Sequence, residues 1–293
     1  MKTTCISLAI FAGLCWLLGF FGFLHPAFDA IAIGRRLAVY SVFFFLFLRA
    51  IIGRQYVLAA VAFAILMLTA TAFQFLDDGE AGNVRVYTKN LWYLNQEVAA
   101  VVDDIQQMEP DVVFLQEVSN RNKAVMSELE GTYPYQALCP WRGWNGIAIL
   151  SRWPLMNDQP RCSPDRSLMA VKIMRPGKAF WAVGVHLQQP WPDVQILHLE
   201  QALSVIDDLD AGAIVAGDFN TVRWSSSAKK IGELTGTQPV GPLWATFNLW
   251  GAKLPLDQVW ASGGQTQRRP LVGSDHYGIV ADVWPSSGST QSP

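Results

Sequence analysis

The sequence has no basic run. Its 22 lysines and arginines are scattered and balanced by 24 acidic residues, for a formal net charge of -2. Tight, nonspecific binding to duplex nucleic acid by counterion release needs a concentrated positive surface, so that class of function is not advertised. Cysteine is scarce as well. The four present form no CxxC pair and no metal-ligand spacing, which sets aside a zinc scaffold and a dithiol redox centre. No internal repeat is visible, and charged residues make up only 16% of the chain.

What the chain has in excess is apolar sequence, nearly all of it before residue 77. Residues 5–24 carry no charge and are long enough to cross a hydrocarbon core as a helix. A signal peptide is the rival reading, but no small-x-small cleavage site follows, and His25-Pro26 leads into more apolar sequence. Residues 37–48 form a shorter run closed by Arg49, which is placed to snorkel, and residues 56–76 form a third. The expectation is a membrane region over residues 1–77 with three transmembrane helices that contact the lipid bilayer. Lys2, Arg49 and Arg54 then share one side, while Arg35 and Arg36 share the other with Asp77, Asp78 and Glu80. The positive-inside rule makes the first side cytoplasmic and the remainder of the chain extracytoplasmic. An interfacial middle run would reverse that orientation.

Residues 78–83 read as a short acidic, glycine-containing linker, residues 84–284 as the folded domain, and residues 285–293, rich in Ser, as a disordered tail. Within the domain, residues 84–88 alternate as a strand that ends at Asn90. Val98, Val101, Val102, Ile105 and Met108 share one helix face, with Asn95 as the expected cap and Pro110 as the stop. Residues 111–115, 146–150, 169–174, 180–185, 213–216, 256–260 and 278–283 read as further strands, and Leu199, Ala202, Leu203 and Ile206 mark another helix. Several strands run consecutively, which fits two packed sheets with helices outside better than a doubly wound parallel sheet. Cys139 and Cys162 can pair in an oxidising compartment, but their spacing alone does not show it. Cys5 and Cys15 lie in the first apolar run, as packing or lipid-facing residues.

The strand ends carry the chemistry. In Gly217-Asp218-Phe219-Asn220 a buried run delivers a carboxylate and an amide to one side of the chain, because strand side chains alternate with period two. Asn90, Glu117, His186, Asp257, Asp275 and His276 stand at or just beyond other strand ends. Four carboxylates converging without counter-charge would cost several kcal/mol per ion in desolvation and repulsion. A divalent cation resolves the conflict, and hard oxygen ligands suit Mg²⁺ or Mn²⁺ over Zn²⁺. Histidine is the side chain best placed to move protons near neutral pH.

In order, Asn90, Leu115-Gln116-Glu117, Gly146 through Arg152, Val185-His186, Gly217-Asp218-Phe219-Asn220, Leu256-Asp257 and Gly273-Ser274-Asp275-His276 resemble the motifs of the endonuclease/exonuclease/phosphatase superfamily, the deoxyribonuclease I-like proteins. The apolar N-terminal region resembles the membrane-anchored bacterial branch. The resemblance implies a four-layered α/β sandwich and Mg²⁺-dependent attack of water on a phosphate ester, here favoured as a phosphodiester in nucleic acid or lipid. It implies Glu117, Asn90 and Asp275 as metal ligands and His276, oriented by Asp257, as general base or phosphate ligand. Asp218 and Asn220 would position the nucleophile and stabilise charge. His186 would contact the phosphate or protonate the leaving oxygen, and Arg223 is a candidate substrate contact. The implied location is the bacterial inner membrane, with no protein partner. Two departures stand out: Trp92 occupies a position that is acidic in apurinic endonucleases, and His186 replaces their Tyr. Both point away from abasic-site repair. A phosphomonoesterase and a non-catalytic, membrane-tethered binding module are the alternative readings.

Overall fold

Two six-stranded sheets lie face to face in the computed structural model, with helices on their outer sides. The structure describes residues 1–72, 79–143, 145–156, 159–191 and 195–287. In chain order the elements begin with α1 (Lys2–Leu18), α2 (Pro26–Ile33), α3 (Arg35–Ile52), α4 (Tyr56–Ala72), β1 (Val84–Asn90), α5 (Val98–Met108) and β2 (Val112–Val118). There follow α6 (Ala124–Leu129), β3 (Tyr135–Cys139), β4 (Gly146–Ser151), β5 (Arg161–Cys162), β6 (Leu168–Ile173), β7 (Phe180–His186), α7 (Gln195–Leu203) and β8 (Ala213–Asp218). The last are α8 (Ser226–Thr235), β9 (Gln238–Pro239), β10 (Phe247–Leu249), β11 (Ala252–Leu254), β12 (Asp257–Ala261), β13 (Gly263–Arg268) and β14 (Ile279–Trp284).

The first sheet runs β13-β14-β1-β2-β4-β3 and the second β5-β6-β7-β8-β12-β9. Each is antiparallel except for one parallel pair, β1 with β2 and β7 with β8. Strands of a parallel pair deliver their C-terminal ends to the same edge of the sheet. Asn90 therefore stands level with Gln116, and His186 level with Asp218. β12 runs back along β8, which sets its first residue, Asp257, against Asp218.

The near-continuous apolar runs of β2, β4 and β8 are buried on both faces, as strands covered on both sides must be. Val86, Phe114, Ile149, Met169, Ile214 and Val259 meet between the sheets. The outer face of the first sheet packs on α5 and α6, and that of the second on α7 and α8. The result is the expected four-layered α/β sandwich. Cys139 and Cys162 are joined, with Cα atoms 5.8 Å apart, so the bond ties edge strand β3 of one sheet to edge strand β5 of the other.

Some local expectations are corrected. Asn95 does not cap α5; its Oδ1 accepts from the Glu97 amide at 2.8 Å in a turn, and Glu97 is the cap residue. Ser286, in the stretch read as a loose tail, is buried and bonded to the Ala213 amide and the Thr235 carbonyl. Residues 288–293 and Asp78 of the linker lie outside the described residues.

In the N-terminal region, α3 packs between α1 and α4. Residues 5–24 do not form one helix. α1 stops at Leu18, and a turn leads to His25, whose Nδ1 accepts from the Ala27 amide and caps α2, with Pro26 in its first turn. Among the described residues no single helix is long and apolar enough to cross a membrane; α2 and α3 meet the requirement only together, across a bend of 63°. The expected third run extends past residue 72, onto residues outside those described.

Candidate active site

At the rim where the parallel pairs end, the two sheets bring their polar side chains together. Asn90 Nδ2 donates to Glu117 Oε1 at 3.0 Å and to Asp218 Oδ2 at 3.1 Å, linking the first sheet to a residue 128 positions away in the second. Glu117 sits in a β-bulge. The register between β2 and β4 slips between Leu115 and Val118, and Glu117 takes a φ of 54°, rare for a non-glycine residue. The bulge turns the carboxylate out of the ladder toward the rim, where Oε2 accepts from the Tyr93 amide at 2.9 Å.

Asp218 is held from the second sheet. Its Oδ1 accepts from the Asn220 amide at 2.8 Å, and Asn220 Nδ2 reaches the Leu187 carbonyl at 2.8 Å. Gly217 before it has a φ of 147°, and a Cβ there would lie 2.0 Å from the Val185 carbonyl oxygen, so the close approach of β7 and β8 requires glycine. His186 Nε2 lies 3.8 Å from Glu117 Oε1 and 3.9 Å from Asp218 Oδ2. His276 Nε2 lies 3.8 Å from the same Asp218 oxygen, and its Nδ1 is 2.7 Å from Asp257 Oδ2. Thr246 Oγ1 fixes Asp257 by accepting from its amide at 3.0 Å, and the Phe247 ring lies 4.7 Å from the His276 ring.

These groups open into a cleft of about 320 Å³ lined by Glu117, Asp218, Asn220, Asp275 and His276. Among the described residues, the basic side chains within 4.0 Å of Glu117 and Asp218 are the two imidazoles, His186 and His276. Burial, with repulsion from Asp257, raises the Asp218 carboxyl above its ordinary range against the pull of His276 and His186. Asp275 is raised by partial burial and by Glu117 and Asp218, against His276. Burial works against the charged form of His276, but Asp257, Asp218 and the hydrogen bond to Asp257 outweigh it and lift the imidazole to about 10. His276 is thus an imidazolium at neutral pH, with Nδ1–H donating to Asp257 and Nε2–H turned toward Asp218.

Asp218, Asp257 and His276 offer ligand atoms within 4.8 Å of one another. Asp257 is engaged by the imidazolium, however, so this trio reads as a charge-paired dyad beside a carboxylate. The carboxylate residues that line the cleft are Glu117, Asp218 and Asp275.

Eight of the nine residues singled out from the sequence gather here. Arg223 does not. Its Nη atoms donate to the Gly241 and Pro242 carbonyls at 2.9 and 3.2 Å, and it brackets a loop instead of lining the cleft. Sequence reasoning also missed Lys89. Fully buried behind the site, its Nζ donates to the His276 carbonyl at 2.9 Å and the Pro270 carbonyl at 3.2 Å, pinning the segment that carries His276. Burial pushes it down to about 8, against the pull of Asp257, Asp104 and Asp275. A lysine inside an otherwise strand-like run, directly before Asn90, was the available signal. Ser274 works from the same segment: its hydroxyl donates to the Asn90 carbonyl at 2.7 Å and accepts from the His276 amide at 3.0 Å.

Comparison with known proteins identifies the family and the fold. Residues 83–276 match the model of the Endonuclease/Exonuclease/phosphatase family. Sphingomyelinase C 1 of Leptospira interrogans is 26% identical over 156 residues, covering 40% of this chain and 26% of that protein. The chain thus spans only about a quarter of the length of this relative. Among solved structures, magnesium-bound β toxin from Staphylococcus aureus superposes with a TM-score of 0.53 at 16% identity, over 69% of this chain and 99% of that one. Sphingomyelinase C from Streptomyces griseocarneus superposes with a TM-score of 0.52 at 16% identity, over 68% and 99%. The fold, the ordered motifs and the family match coincide over one stretch of chain, and this protein belongs to the endonuclease/exonuclease/phosphatase family, whose enzymes hydrolyse phosphate esters.

Proposed function

We propose that this protein is a membrane-anchored, divalent-metal-dependent phosphodiesterase whose catalytic domain faces an extracytoplasmic space. The observation that carries the activity is the bridge at the rim: Asn90 bound to both Glu117 and Asp218, with His186 and His276 each within 4.0 Å of Asp218.

The donor set fits Mg²⁺ or Mn²⁺. Glu117 and Asp275 offer hard oxygen atoms at the cleft, with His186 Nε2 3.8 Å from the Glu117 carboxylate. Asn90, the further ligand implied by the sequence, here spends its Oδ1 on the Trp92 amide and its Nδ2 on Glu117 and Asp218, and so would orient those carboxylates toward the ion. When bound, the ion supplies Lewis-acid polarisation and neutralises charge on the phosphoryl group.

The chain's own groups divide the remaining work. Asp218, raised by burial and aimed by the Asn220 amide, orients a water and accepts its proton. Asn220 keeps a short, oriented dipole at the same point. His276, charged and held by Asp257, donates from Nε2 to a phosphoryl oxygen; of the two roles implied by the sequence, phosphate ligand suits this protonation state better than base. His186 stands beside Glu117 and Asp218 as donor to the leaving oxygen.

Two observations support the placement. Most exposed large apolar side chains of the described residues lie before residue 73, Phe11 at 65%, Val57 at 78% and Leu68 at 67% among them, which suits a bilayer as solvent. The Cys139–Cys162 bond suits an oxidising compartment such as the periplasm of a bacterial inner-membrane protein.

The test uses the full chain in detergent, stripped of metal and assayed on DNA, RNA, phospholipid and a phosphomonoester, with Mg²⁺ or Mn²⁺ added. Metal-dependent cleavage of a diester that disappears in Asp218→Ala is the expected result. Cleavage of the monoester alone would make it a phosphatase. Metal binding without turnover would leave a tethered binding module.

A further inference from the structure

One wall of the cleft does not come from the family fold. The family match covers residues 83–276, yet Ala30 and Ile33 of α2 line the cleft together with Asp218, Asp275 and His276. Separate contacts hold α2 in place. Asp29, 2% exposed, accepts from the Ser226 amide at 2.9 Å and the Ser227 amide at 3.4 Å, across almost 200 residues of chain. Those amides belong to the first turn of α8, whose donors have no partners inside their own helix; the Ser225 side chain satisfies the Ala228 amide. Trp224 Nε1 donates to the Ala32 carbonyl at 2.8 Å, and the Arg35 guanidinium covers the Phe20 ring at 3.6 Å and approaches the Trp224 ring at 5.8 Å. At the start of α2, the His25 ring lies 5.8 Å from Trp191, itself a cleft residue.

The turn before α2 is shaped to this contact. A Cβ at Gly22 would lie 1.9 Å from Asp29 Oδ1 and 2.8 Å from Ser226 Oγ. A carboxylate in an apolar segment is costly to bury unless backbone donors meet it, and here they do so only with α2 seated on α8. Asp29 therefore makes the docking specific, which apolar contact alone would not.

The wall is apolar where the floor is charged. Ala30, Ile33, Trp191, Leu249 and Leu254 line the same cleft as the carboxylates and imidazoles. A ligand with its phosphate at His276 and Asp218 has apolar surface beside it. We propose that α2, latched by Asp29, is a selectivity wall of the active site, favouring phosphodiesters that carry an apolar substituent over equally charged ones that do not. The proposal rests on the phosphodiesterase reading above. It makes Ala30 and Ile33 specificity residues and Asp29 a positioning residue.

The test compares two soluble diesters with the same charge and the same p-nitrophenyl leaving group, one bearing a butyl and the other a methyl substituent. The full chain is assayed in detergent with Mg²⁺ or Mn²⁺. Wild type should favour the butyl ester in kcat/KM by about tenfold or more, the discrimination a few methylenes allow. Ile33→Ser should collapse that ratio toward one. Asp29→Asn should do the same and also speed hydrogen exchange at the Ser226 and Ser227 amides, a readout independent of turnover. An unchanged ratio in both variants, or unchanged exchange in Asp29→Asn, overturns the role of α2 and leaves the activity standing. Hydrolysis of neither ester by wild type overturns the phosphodiesterase reading itself.

Discussion

His276 Nδ1 lies 2.7 Å from Asp257 Oδ2, with both side chains buried, and this contact sets the charge of the site. His276 stands at about 10 in the fold, above its ordinary 6.5. A group raised on folding contributes stability that is present in full below about 6.5 and lost progressively until the pH passes about 10. In the metal-free chain, Asp257→Asn should therefore destabilise most near pH 6, and the gap from wild type should close as the pH approaches 10. Thermal unfolding in chelator across that range measures it. A gap that widens with pH would reverse the assignment of charge.

The second prediction separates Glu117, which lines the cleft, from Asp257, which pairs with His276. Glu117→Gln removes a hard oxygen donor and should weaken Mg²⁺ or Mn²⁺ binding by at least the roughly tenfold that loss of an outer-shell partner costs. Asp257→Asn should leave metal affinity close to wild type, because Asp257 serves the imidazolium. Isothermal titration of each variant decides between them. Loss in Asp257→Asn alone, with Glu117→Gln close to wild type, would place the ion at Asp218, Asp257 and His276 instead.

Gly217→Ala puts a Cβ 2.0 Å from the Val185 carbonyl, at a backbone angle that favours glycine. The clash lies between adjacent strands of one sheet, so neither can yield without disturbing Asp218. A loss of roughly 4 kcal/mol, or failure to fold, is expected. Urea unfolding of the purified variant gives the number.

The Cys139–Cys162 bond closes a loop between residues separated by 23 positions and clamps the two sheets at one edge. Removing it by a paired Cys→Ser substitution should cost about 3 kcal/mol through the freedom returned to the unfolded chain. Dithiothreitol should lower the unfolding midpoint of wild type and leave that of the paired variant unchanged.

Much of the domain was legible because its strands are long apolar runs punctuated by turn residues. β1, β2, β4, β7 and β8 stand where the runs stand. β13 was not legible. Gly-Gly-Gln-Thr-Gln-Arg has no apolar alternation, and it is a strand because β14 offers it an edge along six consecutive residues. α2 was not legible: it falls between the first two apolar runs, where His25 caps its start and the docking of Asp29 holds it.

The sequence by itself singled out the polar residues that gather at the rim of the two sheets. Polar side chains at the ends of buried strands have few structural reasons to be there, and their order along the chain is enough to identify the family. Where each group points was decided only by the fold. The bulge aims Glu117, the parallel registers set Asn90 beside Gln116 and His186 beside Asp218, and Arg223 turns inward to loop carbonyls. Contacts such as Asp29 with Ser226 join residues nearly 200 positions apart. No local pattern encodes such a pairing, because its energy exists only once both helices are in place.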